Sequence, residues 1–375
     1  MLKTNIETLV TPYLVNKENI NLVVGVIDQE EKSVFGFGKI GDSVSDIPNE
    51  NTIFEIGSIT KVFTATLLSS LVENKRIELT TPIKDLHESC EHISEKITIE
   101  RLVTHTSGLP RLPNNLIKLG KTDLKNPYKL YKPEDLDNYL QNYHGEAKGT
   151  FGTISYSNLG VGLLGYILAL QLQQSYETAI IQNICHPLGL LDTCITLNNE
   201  QKTRLARGHS AKGKAVQNWD LSALEGAGAL RASANDLLEF LSANLQTSSS
   251  SWQQAIIKTH DLKCELFAPQ TGLLKLIPLE YIFNLVEQLR GGSLVKPQPK
   301  GIALGWFISL LPTSNNYAYW HNGGTGGYRS FLGFVKDTNT AVVILSNYAE
   351  GVFDGFRKYS IDTIGFRILE DLNNN

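Results

Sequence analysis

Two residues at the start of an apolar segment have the types and the spacing that nucleophilic acyl chemistry needs. Ser58 and Lys61 lie in FEIGSITKVFTATLL, and Lys61 is the one ionisable residue between Glu55 and Glu73. Apolar residues follow at helical spacing, which predicts a helix that Ser58 begins as its N-cap, with both side chains on one face. Burial lowers the pKa of a lysine, and a neutral amine can accept the proton of a nearby serine hydroxyl. Free N–H groups at the helix start would favour developing negative charge.

A second Ser-x-x-Lys match, Ser293 and Lys296, lies in the sequence RGGSLVKPQPK. One or two such matches are expected by chance in a chain of this length, and the glycines and prolines around this one predict no helix that would align the pair. Ser58 and Lys61 are therefore the candidate pair, and a capped core helix is the alternative interpretation of that segment.

The next candidates are Tyr156 and Asn158, which form the one Tyr-x-Asn in the chain, immediately before a long apolar helix. Residues two apart in an extended loop point the same way, so a phenol and an amide can face one cavity. A phenol beside a buried lysine can carry protons, and an asparagine can hold a substrate amide. The alternative is that Tyr156 is a core residue and Asn158 caps the helix.

A third candidate segment, HNGGTGG, begins at His321 and follows a strand-like stretch. Glycines at a strand edge let a substrate approach the backbone, where an amide N–H can complete an oxyanion hole with that of Ser58. The segment has neither the Lys-Ser/Thr of a phosphate-binding P-loop nor the G-x-G-x-x-G order. A G-x-S-x-G motif is absent from the chain, which disfavours an α/β-hydrolase.

The elements that must position these residues predict an α+β fold. Hairpins at 21–38 and 328–346, with strand candidates beginning at Gly305 and Tyr317, predict an antiparallel sheet of five or more strands that is flanked by helices. We expect residues 1–84 and 301–375 to form this discontinuous sheet domain. Residues 85–300 should form a mostly helical domain with an insertion near 262–300, and 351–372 a final helix that packs on the sheet.

Composition excludes several classes of protein. The 375 residues carry 34 Lys+Arg against 38 Asp+Glu and are 42% hydrophobic. These values are ordinary for a globular protein and give no basic excess for nucleic acid. Four well-separated cysteines predict free thiols and no zinc site. The longest apolar helix centre, residues 159–170, is too short for a membrane span. No secretory signal is recognisable at the amino terminus, so we expect a cytoplasmic protein, or a periplasmic or secreted one if a leader was removed.

Taken together and in this order, the motifs resemble the serine β-lactamase and penicillin-binding-protein superfamily, in particular the class C β-lactamase-like branch with its esterases and D-aminopeptidases. LTTPIKDL, ITIERLVTHTSGLP, HPLGLLDT, GALRASANDLLEF and LGWFI extend the resemblance over most of residues 20–350. The resemblance implies the β-lactamase/transpeptidase fold and a site that needs neither a metal nor another cofactor.

The resemblance also implies a role for each candidate. Ser58 would be the acylated nucleophile, with Lys61 and Tyr156 sharing the general-base and proton-return roles in an order left open. The substrate-binding residues would be Asn158 and the run His321, Asn322, Gly323 and Gly324, with the N–H groups of Ser58 and Gly324 forming the oxyanion hole. His105, in the sequence THTSG, would be a structural turn residue.

One departure bears on the substrate, which would be a small molecule or a peptide. Class C β-lactamases carry Lys-Thr-Gly where this chain has His321, Asn322 and Gly323, so a neutral imidazole replaces a fixed positive charge. This favours an esterase or a peptidase that cleaves an amide or ester over an efficient β-lactamase. Acyl transfer to an alcohol or amine, and a non-catalytic binding relative, are the alternatives. The sequence gives no oligomeric state.

Overall fold

An antiparallel sheet of eight strands, drawn from both ends of the chain, lies at the centre of the fold. The computed structural model describes residues 2–39, 47–120, 123, 125–145, 152–246, 250–266, 297–350 and 359–374. Within these residues, the sheet order β2-β1-β10-β9-β8-β7-β6-β5 brings the amino-terminal hairpin beside the carboxy-terminal one.

The strands of this sheet follow the predicted hairpins closely. They are β1 (Asn21–Asp28), β2 (Glu31–Gly38), β5 (Cys264–Glu265), β6 (Gln298–Ile302), β7 (Phe307–Leu310), β8 (Tyr317–Gly324), β9 (Arg329–Val335) and β10 (Thr340–Ser346). A separate antiparallel pair consists of β3 (Ile53–Glu55) and β4 (Arg231–Ser233). The predicted α+β class and the antiparallel sheet of five or more strands are confirmed.

Helices cover both faces of the sheet. In chain order they are α1 (Leu2–Leu14), α2 (Thr60–Glu73), α3 (Ile99–Val103), α4 (Asn114–Gly120), α5 (Pro133–Gln141), α6 (Asn158–Leu172), α7 (Tyr176–Ile180), α8 (His186–Leu188), α9 (Asn199–Arg204), α10 (Ala234–Leu245), α11 (Ser251–Lys258) and α12 (Ile361–Asn373). A π turn, Ile181–Cys185, joins α7 to α8.

Strand alternation explains why both sheet faces are covered. In β1, Val24 and its same-face neighbours pack with α1 and α12, whereas Val23 and Ile27 belong to the larger core on the opposite face. That larger core includes α2, α6 and α10. Because successive side chains of a strand point to opposite faces, a strand covered on both sides must be apolar throughout, as β1 and β10 are.

Some predicted boundaries differ from the structure. Helix α1 has no counterpart among the predicted elements, and the final helix begins at Ile361, while 351–358 lie outside the described residues. Most of the expected insertion, residues 267–296 with Ser293 and Lys296, also lies outside them. The segment HNGG was expected to follow a strand, but it forms the last four residues of β8. Its ladder with β9 continues to Gly324, because glycines allow the close packing found there.

All four cysteines are free, as predicted, and three of them are buried: Cys90, Cys185 and Cys194. Burial raises the pKa of each of these three thiols, which makes them unreactive.

Gly323 tests the packing of β8 against the segment that precedes α2. A Cβ added at Gly323 would lie 2.0 Å from the Ile56 carbonyl oxygen. This is a clash between two backbone segments, and it can be relieved only if one of them moves. We expect Gly323→Ala to lower the free energy of unfolding by about 1–3 kcal/mol in urea titrations. Gly160→Ala is the matched control. Gly160 lies in helix α6, and a Cβ added there would meet no atom nearer than 3.4 Å. Equal stability of the two variants would contradict the packing described here.

Candidate active site

Ser58 and Lys61 lie where the turn before α2 meets the end of β8. Ser58 is half-buried in a 3₁₀ turn, Gly57–Ile59, and α2 begins at Thr60. The prediction that Ser58 caps the helix is therefore wrong, since Ile59 occupies the N-cap and no side chain caps it. The Ser58 Oγ instead accepts a hydrogen bond of 3.0 Å from the Lys61 Nζ. The serine hydroxyl is thus committed to the lysine and not to the helix backbone.

The Lys61 amine connects its own segment to two distant segments of the chain. Besides Ser58, it donates to the Asn158 Oδ1 at 2.9 Å and to the Ala227 carbonyl oxygen at 2.6 Å. The residue is fully buried, and this burial lowers its pKa well below the usual lysine value, with the Arg111 charge as a second cause. The three acceptors favour the ammonium form, but loss of solvent around the whole charge is the larger effect.

The turn at His105 holds Tyr156 beside this amine. Its ring centre lies 5.0 Å from the Lys61 Nζ and 4.4 Å from the ring centre of His105. His105 has a left-handed backbone (φ +58°), and its Nδ1 accepts the Ser157 N–H at 3.2 Å while its carbonyl oxygen accepts the Ser155 N–H at 2.8 Å. The expected structural turn residue therefore fixes the backbone on both sides of Tyr156.

Asn158 is directed into the site because its neighbour caps the helix. The Ser157 Oγ accepts the Gly160 N–H at 2.9 Å, so Ser157 is the N-cap of α6. The alternative in which Asn158 caps this helix is thus wrong. Asn158 is the first helical residue, and its amide oxygen is free to accept the Lys61 bond.

His321 is neutral in this site. It is 1% exposed, and burial lowers its pKa to about 3, with the Lys61 charge as the second cause. Its Nδ1 lies 2.6 Å from the Asn322 carbonyl oxygen, so the proton sits on Nδ1 and donates to that oxygen. The Nε2 then offers a lone pair, and no described residue hydrogen-bonds to it. His321 thus presents an acceptor where a lysine would present a cation.

The glycines of β8 allow the strand to touch the turn that holds Ser58. Gly57 has φ +52°, and a Cβ added there would lie 2.6 Å from the Gly324 nitrogen. The two backbones therefore approach as closely as glycine permits. This contact places the Gly324 amide next to the turn that carries the Ser58 amide.

Asn322 is the one predicted site residue whose side chain lies elsewhere. Its Nδ2 donates to the Asp362 Oδ2 of α12 at 2.7 Å. Strand alternation turns this side chain away from the face that carries His321 and Gly323. Asn322 thus supports β8 from the opposite face of the sheet.

Two residues near the site carry no motif and were missed by sequence reasoning. Arg111 places its guanidinium carbon 5.1 Å from the Tyr156 ring centre. Tyr128 is buried, and burial raises its pKa. The charge of Arg111 and a hydrogen bond with Asn158 act in the opposite direction but are smaller effects. Only the position of Arg111 directly after the GLP turn could have drawn attention to it.

Neither a metal site nor a membrane span is found in the portion of the chain that the structure covers. No group of three or more His, Cys, Asp or Glu side chains there could hold a metal ion. No helix among the same residues is long and apolar enough to cross a bilayer.

Comparison with known proteins points to one family. The family model described as Beta-lactamase matches residues 6–364. A β-lactamase of Providencia stuartii is 26% identical over 352 residues, covering 91% of this chain and 86% of that protein. A β-lactamase of Lysobacter lactamgenus is 27% identical over 346 residues, with coverage of 91% and 86%.

Solved structures give the same fold. A class C β-lactamase from Rhodobacter sphaeroides matches with a TM-score of 0.72 and 24% identity, covering 99% of each chain. A β-lactamase/D-alanine carboxypeptidase from Pseudomonas syringae matches with a TM-score of 0.73 and 22% identity, covering 98% of each chain. At these identities the likeness establishes the fold.

The buried amine predicts a specific dependence of stability on pH. An unfolded lysine has a pKa of about 10.4, and that of folded Lys61 is lowered. Between the two values the unfolded chain binds a proton that the folded chain lacks, so the free energy of unfolding rises with pH, by at most about 1.4 kcal/mol per unit. Lys61→Met removes this dependence. Urea titrations from pH 6 to 9 should show the stability of the parent protein rising relative to the variant, and a constant difference would mean that folded Lys61 stays charged.

Proposed function

The chain belongs to the β-lactamase family of serine hydrolases, and we propose that it cleaves small esters or peptide-like amides through an acyl-enzyme on Ser58. The contact between the Ser58 hydroxyl and the buried Lys61 amine carries this proposal. Burying a lysine costs folding free energy, and lysines with a lowered pKa are concentrated at functional sites.

Acylation begins at the hydroxyl that the amine already contacts. Neutral Lys61 can accept the Ser58 proton across their 3.0 Å contact while Oγ forms a bond to the substrate carbonyl carbon. The carbonyl π electrons move to oxygen, which gives a tetrahedral oxyanion. The Ser58 and Gly324 N–H groups are the proposed donors to this oxyanion, supported by the close packing of Gly57 on Gly324.

Collapse of the tetrahedral species needs a proton at the leaving group. Tyr156, held against the Lys61 amine and the His105 ring, is the proposed route for that proton. The bond between the carbonyl carbon and the leaving group breaks, and the leaving group departs as an alcohol or amine. Lys61 and Tyr156 lie side by side, so either one can serve as the first base in this scheme.

Water then attacks the acyl-enzyme, and the same groups act in reverse. Its proton goes to the Lys61 and Tyr156 pair, the new carbon–oxygen bond forms, and the proton returns to the departing Ser58 Oγ. An alcohol or amine acceptor in place of water would give acyl transfer with the same residues. Analysis of products in the presence of an added alcohol separates these two outcomes.

The preference for esters and peptides over β-lactams rests on His321. Its imidazole is neutral, since burial lowers the pKa to about 3. The imidazole therefore provides no charge for a β-lactam carboxylate at the position where class C enzymes have lysine. The missing charge does not weaken the binding of an ester or amide that needs no cation at that position.

Labelling tests the nucleophile. We expect a fluorophosphonate probe to add one adduct to the chain, located on Ser58 by peptide mass spectrometry, and to leave Ser58→Ala unlabelled. Ser293→Ala, from the second Ser-x-x-Lys match, is the matched control and should label like the parent protein. Labelling that persists in Ser58→Ala contradicts the proposal.

Replacement of Tyr156 by phenylalanine tests proton transfer. The ring packing against His105 is preserved, while the hydroxyl is lost. Loss of general acid–base assistance should lower kcat on an ester by about a hundredfold or more, with no change in melting temperature. Steady-state kinetics on a p-nitrophenyl ester measure it, and parent-like kcat would assign the whole proton transfer to Lys61.

A substrate panel tests the preference. Rates on a p-nitrophenyl ester and a D-alanyl anilide should exceed the rate on nitrocefin, with Ser58→Ala as the blank for each. Faster turnover of nitrocefin would mean that neutral His321 does not limit β-lactam hydrolysis.

A further inference from the structure

Two adjacent residues of β9 face the end of β8 from opposite sides of the sheet. Arg329 pairs with Gly324 at the end of the β8–β9 ladder, and Ser330 pairs with Gly323. Successive side chains of a strand point to opposite faces. One of these two side chains is therefore directed to the face that carries the nucleophile, and the other to the face behind it.

The Ser330 side chain is fixed to the segment that leads to the nucleophile. Ser330 is fully buried, and its Oγ donates to the Ile56 carbonyl oxygen at 2.8 Å. Ile56 precedes Ser58 by two residues, and its N–H donates to the Leu230 carbonyl oxygen at 3.1 Å. The backbone that carries the Ser58 amide is thus tied to β9 on the site face of the sheet.

The Arg329 side chain packs against Gly324 on the other face. A Cβ added at Gly324 would lie 2.5 Å from the Arg329 Nη1 and 3.1 Å from its Cζ. The guanidinium therefore lies directly against this glycine, with no room for a side chain between them. The Gly324 end of β8 can move toward this face only if the guanidinium moves first.

Two acids hold the guanidinium in this place. Its Nε lies 3.6 Å from the Glu350 Oε2, and the Glu350 side chain is 5% exposed. Burial raises the pKa of Asp362, and the Arg329 charge acts in the opposite direction. Asp362 also accepts the Asn322 Nδ2 at 2.7 Å, so the same cluster holds β8 two residues before Gly324. An arginine fork between acids in a half-buried place has few alternative positions.

The placement of the two backbone amides bears directly on the rate of acylation. A donor stabilises the oxyanion when it lies about 2.7–3.1 Å from the oxygen, and removal of one donor lowers kcat by about 10²–10³. A displacement of about 1 Å by a change far from the chemistry can cost about a hundredfold. Residues that fix these amides can therefore change kcat without touching the substrate.

From these contacts we propose that Arg329 and Ser330 are positioning residues for the oxyanion hole. Ser330 holds the turn that carries the Ser58 amide, and Arg329 holds the Gly324 end of β8. Both act through the backbone and not through the substrate. The inference rests on the proposed acyl-enzyme chemistry at Ser58 and goes beyond it by giving a function to the charge cluster on the far face of the sheet.

Steady-state kinetics and a mimic of the tetrahedral species test the inference. The kcat and KM are measured on p-nitrophenyl butyrate, and the Ki of phenylboronic acid is measured with the same ester. The boron binds the Ser58 oxygen and becomes a tetrahedral anion, while the hydroxyl proton passes to Lys61. The variants are Arg329→Gln, Arg329→Lys, Ser330→Ala, Ser58→Ala, Arg204→Gln and the double variant Arg329→Gln with Glu350→Gln.

Two of these variants separate positioning from stability. Arg204 is also a half-buried arginine held by two acids, Asp192 and Glu200, and its hydrogen bonds reach no residue of β8 or β9 among those that the structure describes. Arg204→Gln is therefore the matched control. The double variant removes an acid that Arg329→Gln leaves unpaired, so it provides a folded protein where the single variant is too unstable.

We expect Arg329→Gln, the double variant and Ser330→Ala each to lower kcat by about tenfold to a hundredfold with KM unchanged. The Ki of phenylboronic acid should rise by the same factor, because the boronate and the transition state both place an anion in the oxyanion hole. Arg329→Lys should recover part of kcat, since it keeps the charge beside Glu350. Arg204→Gln should lower the melting temperature and leave kcat at the parent value.

The failures are distinguishable. Parent-like kcat and Ki in the Arg329 and Ser330 variants, with Ser58→Ala inactive, would overturn the inference and leave the acyl-enzyme in place. A fall in one of them alone would overturn the role of the other residue. An equal fall of kcat in Arg204→Gln would assign the loss to general destabilisation and would also overturn the inference. Turnover that persists in Ser58→Ala would contradict the proposed function itself.

Discussion

The buried Lys61 amine is the interaction on which the rest of the site depends. Its three hydrogen bonds reach the Ser58 hydroxyl, the Asn158 amide and the Ala227 carbonyl, and Ala227, the farthest of them, lies 166 residues from Lys61 in the sequence. An amine without water around it requires such partners, since an unsatisfied buried polar group costs several kcal/mol, of order 2–7. One buried group therefore links the nucleophile to the start of α6 and to the segment at Ala227.

Much of the fold was readable because its elements are strongly patterned. The apolar run of β10 and the aromatic and branched residues of β9 predicted the second hairpin, and a helix was predicted correctly after Ser58. The short strand β5 was not predictable, because two residues, Cys264 and Glu265, carry no pattern and pair only through tertiary contact with β6. The 3₁₀ turn at Ser58 was missed for a related reason: serine is a common N-cap, and its commitment to Lys61 is visible only in the folded chain.

The candidate site shows the same division between local and tertiary information. Spacing brought Ser58 to Lys61 and Tyr156 to Asn158, and the structure places all four together. Spacing alone could not distinguish the two faces of β8. The Asn322 side chain consequently lies against Asp362, outside the site.

The charges around the nucleophile are not set by the residue at position 321 of β8 alone. His321 is neutral and its Nε2 is an acceptor, whereas the cation nearest to Tyr156 on the solvent side comes from the segment after the His105 turn. The charges around the nucleophile are therefore set by the residues of this chain and do not follow from the family fold.

The most direct test of the central claim is an NMR titration of the Lys61 side chain in protein labelled with ¹³C-lysine, with the signal assigned by its absence in Lys61→Met. A buried amine that serves as base should titrate with a pKa well below the usual lysine value of about 10.4. A titration at or above that value would show an ammonium ion beside Ser58 at neutral pH and would contradict the account.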